Sequence, residues 1–518
     1  MKPFKTPGVY IVEKDAFPNS VIEVATAIPA FIGYTPQASY EGKSYLNKAV
    51  RITSFQDFKA FFGYEDPPAQ AQYLPEYYLK QQKEKPEKGR SYVINGDIYT
   101  ISPDPGTIYY LVNSVRLFYQ NGGGVAYIVS VGTYGDPTGS PIHAGDDLIN
   151  PNVTLRDLLG GLEILKREEE VTLYIVPEAT LLSTDENGTL MEAMLLQSGE
   201  LETNMCIFDI KGGHEPDPIL YTQDIQNFRN NTGTNALKFG AAYYPFLKTT
   251  ITGPGELSYA NINGGDLSGL ANLINPSAEP NPAAEQILKD IKSPPAGMTP
   301  GQLHQALVLA SPAYKEIMDI VLQHVNMLPP SGAMAGVYTL VDNTKGVWNA
   351  PANVSLAAVS GLTLNIDASM QEGLNVDAVS GKSINCIRLF TGQGVLVWGA
   401  RTLDGNSLDW QYINVRRTVT MIEQSVKLAA KAYMFEPNDA NTWQSVKSMI
   451  GNFLTNLWNQ GGLAGATHAD AFDVAIGLGE TMTSKDILDG TMRISVKVAV
   501  TRPAEFIVIE VEQEMAKS

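Results

Sequence analysis

The sequence predicts a multidomain protein that combines α/β and α+β domains, and three observations support this class. Short continuous apolar runs alternate with helical patterns between residues 106 and 250. The last third carries amphipathic helical patterns followed by alternating strand patterns. A strand-like run lies near each end, and the one at the N-terminus has no neighbouring run close enough for a hairpin. The chain has 518 residues and is 44% hydrophobic, which is enough for about three domains with cores of their own.

The two terminal runs predict strands that need distant partners. Thr6-Pro7-Gly8 predicts a rigid turn before the first run, and Arg502-Pro503 precedes the last one. An unpaired strand can add to the sheet of another chain, so we expect both runs to pair between subunits. The alternative is that they pair within one subunit. The residues expected in these arms are Val9, Tyr10, Ile11, Val12, Phe506, Ile507, Val508 and Ile509.

The region after the N-terminal arm predicts compact structure followed by a peripheral segment. Ser54 is placed to cap a helix that contains Phe55 and Phe58. Residues 65–105 are rich in Pro, Gln, Lys, Glu and Tyr, which indicates an insertion outside the core.

The α/β layer is predicted between residues 106 and 250. Continuous apolar strands with helices between them indicate a mostly parallel sheet that is buried on both faces. The strand runs are 125–129, 171–176, 205–208 and 239–243. Residues 251–301 are rich in Pro, Gly and Asn and are predicted to be loop, with helical spacing resuming at Leu303.

The last third predicts two helices and then a strand. Residues 416–433 place apolar side chains on one face and Glu423, Lys427 and Lys431, each four residues apart, on another. A capping-box spacing at Asn441 predicts the start of the second helix, which ends at Gly461. Residues 491–500 then alternate apolar and polar side chains, as a strand does.

The sequence offers little chemistry for an enzyme. A formal charge of −18 argues against nucleic-acid binding, and no apolar stretch is long enough for a membrane helix. No phosphate loop, nucleophile elbow or metal-ligand spacing of the five histidines is found, so we predict no catalytic, cofactor or metal residues. The two cysteines, Cys206 and Cys386, are predicted to be buried free thiols. An α/β hydrolase built on the 106–250 sheet is kept as the enzymatic alternative.

Several segments carry a family resemblance. The chain resembles the contractile tail sheath proteins of phages and related injection particles, closely at both ends and in the last third. The segments that carry the resemblance are 6–10, 28–33, 330–338, 342–353, 396–402, 410–417, 435–439 and 502–506.

The resemblance implies a fold organisation. It predicts an inner α+β domain formed from the C-terminal part plus an N-terminal segment, with an outer α/β domain inserted between them. The expected boundaries are an N-terminal arm at 1–20, an outer region at 21–345, an inner tube-facing domain at 346–503 and a C-terminal arm at 504–518.

The resemblance also implies a function. It predicts a subunit that polymerises helically around an inner tube and contracts without ATP, using energy stored in a metastable extended assembly. The expected partners are other copies of the chain, the inner tube protein, and baseplate and tail-terminator proteins. We expect synthesis in a bacterial cytoplasm and assembly into a phage tail or injection particle.

Tube contact is predicted at Lys427 and Lys431, because screened surface charges bind weakly and reversibly. The alternative for these lysines is a solvated helix face. A noncontractile filament or tube is the structural alternative for the whole chain.

Overall fold

The computed structural model describes residues 21–63, 74–87, 89–143 and 145–506. The chain divides into two compact units, a larger one at Thr26–Arg416 and a smaller one that joins Met1–Ala25 to Arg417–Ser518. In sequence, the larger unit therefore lies between the two segments of the smaller one. The expected boundary at 345/346 was wrong, because strands formed by residues 354–398 belong to the sheet of the larger unit.

The strands of the larger unit are short. In chain order they are β1 (Pro29–Thr35), β2 (Ser39–Tyr40), β3 (Lys43–Ser44), β4 (Ala49–Ile52), β5 (Tyr77–Gln82), β6 (Tyr92–Ile94), β7 (Asp97–Pro103), β8 (Ala126–Thr133), β9 (Leu173–Ile175), β10 (Met205–Asp209), β11 (Gly240–Tyr244), β12 (Leu247–Thr249), β13 (Met327–Leu328), β14 (Val354–Ser355), β15 (Val359–Leu362), β16 (Asn385–Phe390) and β17 (Gly394–Trp398).

The helices of this unit lie between those strands. They are α1 (Phe55–Phe62), α2 (Leu111–Gln120), α3 (Leu155–Ile164), α4 (Thr184–Leu201), α5 (Tyr221–Asn231), α6 (Ala271–Ile274), α7 (Pro282–Lys292), α8 (Pro300–Ala310), α9 (Pro312–Val325), α10 (Ser331–Lys345) and α11 (Ala368–Asn375). Ser54 caps α1 as predicted, with its hydroxyl accepting from the amide of Asp57 at 3.1 Å.

A nine-stranded sheet organises the described part of the larger unit, in the order β14-β17-β16-β11-β10-β9-β1-β8-β4. The six strands from β16 to β8 pair in parallel, whereas β4, β14 and β17 pair antiparallel at the two edges. Every residue of β1, β9, β10 and β11 is buried, so both faces of the sheet are covered. The prediction of a mostly parallel, two-sided buried sheet is confirmed.

The segment predicted to be a peripheral insertion and the segment predicted to be loop both differ from these predictions. Residues 77–103 form the three-stranded antiparallel sheet β5-β7-β6, and Tyr77, Ile94 and Ile101 belong to the hydrophobic core. The expected position outside the core was wrong for these residues. The stretch 251–301 is not only loop, because it contains α6 and α7, which bury Leu273 and Ile291.

Where the structure describes it, at residues 21–25 and 417–506, the smaller unit contains helices and one two-stranded sheet. The helix α12 (Ile413–Ala430) crosses the boundary between the units and is followed by a 3-10 turn at Lys431–Tyr433. The other elements are α13 (Ala440–Asn459), α14 (His468–Ala471), β18 (Phe472–Ala475), α15 (Ser484–Leu488) and β19 (Ser495–Val498). Asp439, not Asn441, caps α13, because its carboxylate accepts from the amides of Asn441 and Thr442 at 3.0 Å.

Candidate assembly surface

Most of the predicted arm residues lie outside the described part of the chain. These residues are Val9, Tyr10, Ile11, Val12, Ile507, Val508 and Ile509. Phe506 is the last described residue; it lies outside any strand, and its side chain is 72% exposed. Intersubunit pairing of both arms therefore stays a prediction.

A two-stranded antiparallel sheet in the smaller unit is the feature most suited to accept such arms. β18 and β19 pair from Phe472 opposite Val498 to Ala475 opposite Ser495. Val474 is buried, whereas the Asp473–Lys497 pair, with 4.0 Å between its charged atoms, is exposed. Within the described residues this sheet has no third strand. An isolated two-stranded sheet is marginally stable in water, so this one is suited to gain strands.

The backbone hydrogen bonds identify which edge of β19 is open. Ala499 donates its amide to the carbonyl of Ala471 at 2.9 Å, and Thr501 donates to the carbonyl of Gly462 at 3.3 Å. Backbone groups of successive residues in a strand point to opposite edges. The amides of Val496 and Val498 therefore face away from β18, toward an edge that has no ladder partner among the described residues.

The connection between these two strands is held by an internal network. Asp486 accepts hydrogen bonds from the amide and hydroxyl of Thr483 at 2.9 and 2.7 Å, and from Nε of Arg493 at 3.0 Å. These donors, led by the Thr483 amide, lower the pKa of Asp486 to about 2. These hydrogen bonds hold the loop that directly precedes β19.

The predicted tube-contact lysines lie at the end of α12. Lys427 is in its last turn and Lys431 begins the 3-10 turn that follows, and both are exposed. The same helix receives the first described residues of the chain, because Val24 donates its amide to Oγ of Ser425 at 3.1 Å. The structure thus brings the N-terminal segment alongside α12 within the smaller unit, and tube contact stays a prediction.

Two buried acids at the carboxyl ends of parallel strands were missed by the sequence analysis. This edge is where α/β enzymes bind ligands. Oε1 of Glu178 accepts from the amide of Leu111 at 2.8 Å, at the start of α2. Asp209 accepts from the amide and hydroxyl of Ser331 at 2.7 and 2.5 Å, at the start of α10. Asp209 could have been noticed because it directly follows an apolar strand run.

Burial controls the charge of both acids. It raises the pKa of Glu178 to about 8 and that of Asp209 to about 7. Each carboxyl is used to complete the open amides at a helix start, which is a structural role. We therefore assign these acids to helix capping in the larger unit.

The two cysteine side chains lie in the packed interior of the larger unit. Cys206 and Cys386 are buried free thiols, as predicted. Burial raises the pKa of both thiols to about 12. Among the described residues, no group of three or more His, Cys, Asp or Glu side chains could hold a metal ion. No helix in that same part of the chain is long and apolar enough to cross a membrane.

Comparisons of sequence match the smaller unit and its surroundings to one family. Residues 406–514 match the phage tail sheath C-terminal domain. The tail sheath protein of Vibrio phage KVP40 is 30% identical over 151 residues, which are 29% of this chain and 22% of that protein. The tail sheath protein of Burkholderia phage BcepMu is 25% identical over 200 residues, 38% of this chain and 40% of that protein. The chain thus spans less than half of the length of these curated relatives.

Comparisons of structure extend the likeness to nearly the whole chain. A sheath chain of the PVC extracellular contractile injection system, in its contracted state, matches with a TM-score of 0.58 and 25% identity, over 99% of both chains. The helical sheath of the anti-feeding prophage, also contracted, matches with a TM-score of 0.56 and 25% identity, over 99% of this chain and 100% of that chain. Both units therefore contribute to the likeness.

Proposed function

We propose, from the premise that this chain is a contractile tail sheath protein, that it polymerises helically around an inner tube and contracts to drive the tube through a target envelope. The family match of the C-terminal part and the likeness to two contracted sheath structures confirm the predicted resemblance. The observation that carries the assembly mechanism is the two-stranded sheet with an open edge on β19.

The arms of neighbouring subunits complete this sheet in the proposed assembly. An added strand that makes about five backbone hydrogen bonds, each worth about 0.5–1.5 kcal/mol net, contributes several kcal/mol per junction. The donating arm and the accepting edge are different surfaces, so the contact is heterologous. A heterologous contact whose rotation does not close produces a helical filament.

Deletion of residues 1–14 tests the arm. We expect a folded, soluble monomer that no longer forms rods or rings in negative-stain electron microscopy, because the donor strand is gone. Unchanged polymerisation would show that the N-terminal segment is not an intersubunit arm.

Substitution on β19 tests the accepting edge. Val498→Pro removes an amide that faces the open edge and leaves the bonds to β18 in place, so we expect the length and number of rods to fall sharply. Val498→Ala is the matched control, since it shortens the side chain but keeps the amide. If the proline variant folds and polymerises as well as the alanine variant, β19 is not the acceptor.

Contraction is proposed to release energy stored during assembly, with no nucleotide consumed. Purified extended particles should contract on release of the baseplate end or mild denaturant in nucleotide-free buffer. Both lengths of the same sheath should be visible by electron microscopy. A single length under all conditions would favour the noncontractile filament, and contraction only with added ATP would contradict the stored-energy mechanism.

Tube contact through Lys427 and Lys431 is proposed as a weak, screened attraction. The double variant Lys427→Glu and Lys431→Glu should load poorly onto tubes, with a defect that changes with salt. Lys83→Glu with Lys85→Glu is the matched control, because it makes the same charge change at two exposed lysines of the larger unit. Normal loading of the first variant would leave these lysines as a solvated face.

A further inference from the structure

The edge of β19 that faces away from β18 continues past the end of the two-stranded ladder. The carbonyl of Ala499 accepts from the amide of Ala464 at 2.7 Å, on the same edge as the bond from Ala499 to the chain before β18. Successive residues point their backbone groups to opposite edges, so Val496, Val498 and Val500 all direct theirs the other way. We call these three residues the open edge, which has no ladder partner among the described residues.

The sequence that follows β19 is complementary to the open edge. Residues 506–511, which we call the C-terminal run, are separated from residue 501 by Arg502-Pro503-Ala504-Glu505. Four residues are a common length for a hairpin connection. A run that turned back antiparallel through them would place one β-branched apolar residue opposite each valine of the open edge. The opposite pairs would be Val500 with Ile507, Val498 with Ile509 and Val496 with Val511.

The same register matches both faces of the existing sheet. Val496 lies opposite the buried Val474 of β18, so the apolar residues of the run would extend a covered face. On the other face Lys497 pairs with Asp473 at 4.0 Å, and the register places Glu510 on the far side of Lys497. A shift by one residue in either direction would instead put Glu510 opposite a valine of the open edge. The alternation of the run therefore selects one register.

The C-terminal run is tethered beside the edge that it fits. The amide of Thr501 donates to the carbonyl of Gly462 at 3.3 Å, so the chain is held on the sheet up to the start of the four-residue connection. A segment on so short a tether meets its site at an effective concentration on the order of mM. A free subunit at micromolar concentration is a weaker competitor for the same edge.

We propose that in the isolated chain the C-terminal run covers the open edge of its own β19, and that this contact prevents polymerisation until a neighbour's arm takes its place. The inference rests on the proposed function, because it states what occupies the accepting edge before assembly. The exchange of one strand for an equivalent strand of another subunit is domain swapping. The contact thereby delays the polymerisation of free subunits.

A disulfide across the proposed pair tests the contact in the full-length chain. Lys497→Cys with Glu510→Cys places two thiols at a non-hydrogen-bonded pair, where the Cβ atoms come closest. Lys497→Cys with Ile509→Cys is the matched control, because successive residues of a strand point to opposite faces. The native Cys206 and Cys386 are buried and leave the introduced thiols as the accessible ones. Each variant is oxidised below the concentration at which rods form.

We expect the pair at 497 and 510 to form an intramolecular disulfide at least about tenfold faster than the control pair. The oxidised chain should form no rods in negative-stain electron microscopy, and reduction of the same sample should restore them. Equal rates in the two variants, or disulfides only between chains, would overturn the contact. Rods formed by the oxidised chain would overturn its effect on polymerisation.

The disulfide is measured on dilute chains, so it decides the proposed pairing whether or not rods form afterwards. A wild-type chain that forms no rods at any concentration would refute the proposed function instead.

Discussion

The contact between α10 and α2 gives the sharpest stability prediction. Gly332 and Gly336 are one turn apart on α10 and lie against the backbone of α2. A Cβ at position 336 would lie 2.6 Å from the carbonyl oxygen of Phe118, and one at 332 would lie 2.4 Å from that of Ser114. Both obstacles are backbone atoms, so Ala cannot be accommodated unless one helix moves.

The magnitude follows from two opposing effects. Ala in a helix is favoured over Gly by about 1 kcal/mol. Overpacking of a close contact costs about 1–3 kcal/mol, and a clash with backbone belongs at the upper end of that range or above it. We therefore expect Gly336→Ala to destabilise the larger unit by about 1–2 kcal/mol, and Gly332→Ala by more.

The assay is thermal or urea unfolding of each purified variant under one set of conditions. Gly160→Ala is the matched control, because Gly160 is an exposed position of α3 with no atom within 4 Å of the added Cβ. It should stabilise the protein by about 0.5–1 kcal/mol. If Gly336→Ala shifts the unfolding midpoint upward as Gly160→Ala does, the close-packing argument is refuted.

Two further predictions concern pH. Burial, with nearby Lys211 and Arg90, lowers the pKa of His214 to about 4, so the unfolded chain binds more protons below pH 6.5 and stability falls with acid. Through His214, the free energy of unfolding should fall by about 3 kcal/mol between pH 7 and pH 4. His214→Gln should remove this pH dependence in urea unfolding, and an unchanged dependence would contradict the prediction. Glu178 has the opposite sign, because burial raises its pKa to about 8 and the unfolded carboxyl ionises first. Glu178→Gln should therefore gain about 3 to 4 kcal/mol relative to wild type on going from pH 5 to pH 8, and a constant difference across that range would show that Glu178 is ionised in the folded state.

The middle of the central sheet was predictable because four of its strands are continuous apolar runs bounded by helical spacing. The runs at 125–129, 171–176, 205–208 and 239–243 all became neighbouring or near-neighbouring strands of one sheet. These features depend on local pattern, which the sequence contains.

Features that depend on distant packing were not predictable. The strand Tyr77–Gln82 carries exposed Lys80 and Gln81. Its buried residues Tyr77 and Leu79 contact His324 and Asn263, which lie far along the chain. β18 was missed because it has only four residues, although Phe472 and Val474 alternate with polar Asp473. No sequence pattern predicts that the side chain of Phe435 is exposed or that its backbone lies in the left-handed region.

The insertion of Thr26–Arg416 into the smaller unit has a consequence for biosynthesis. The N-terminal segment emerges from the ribosome first, yet the rest of its unit follows only after the intervening roughly 390 residues. At about 5–20 residues per second, this interval lasts about 20–80 s. Among the described strands β19, the proposed acceptor, is translated last, so a nascent chain offers no complete docking edge to finished subunits until its synthesis is nearly over.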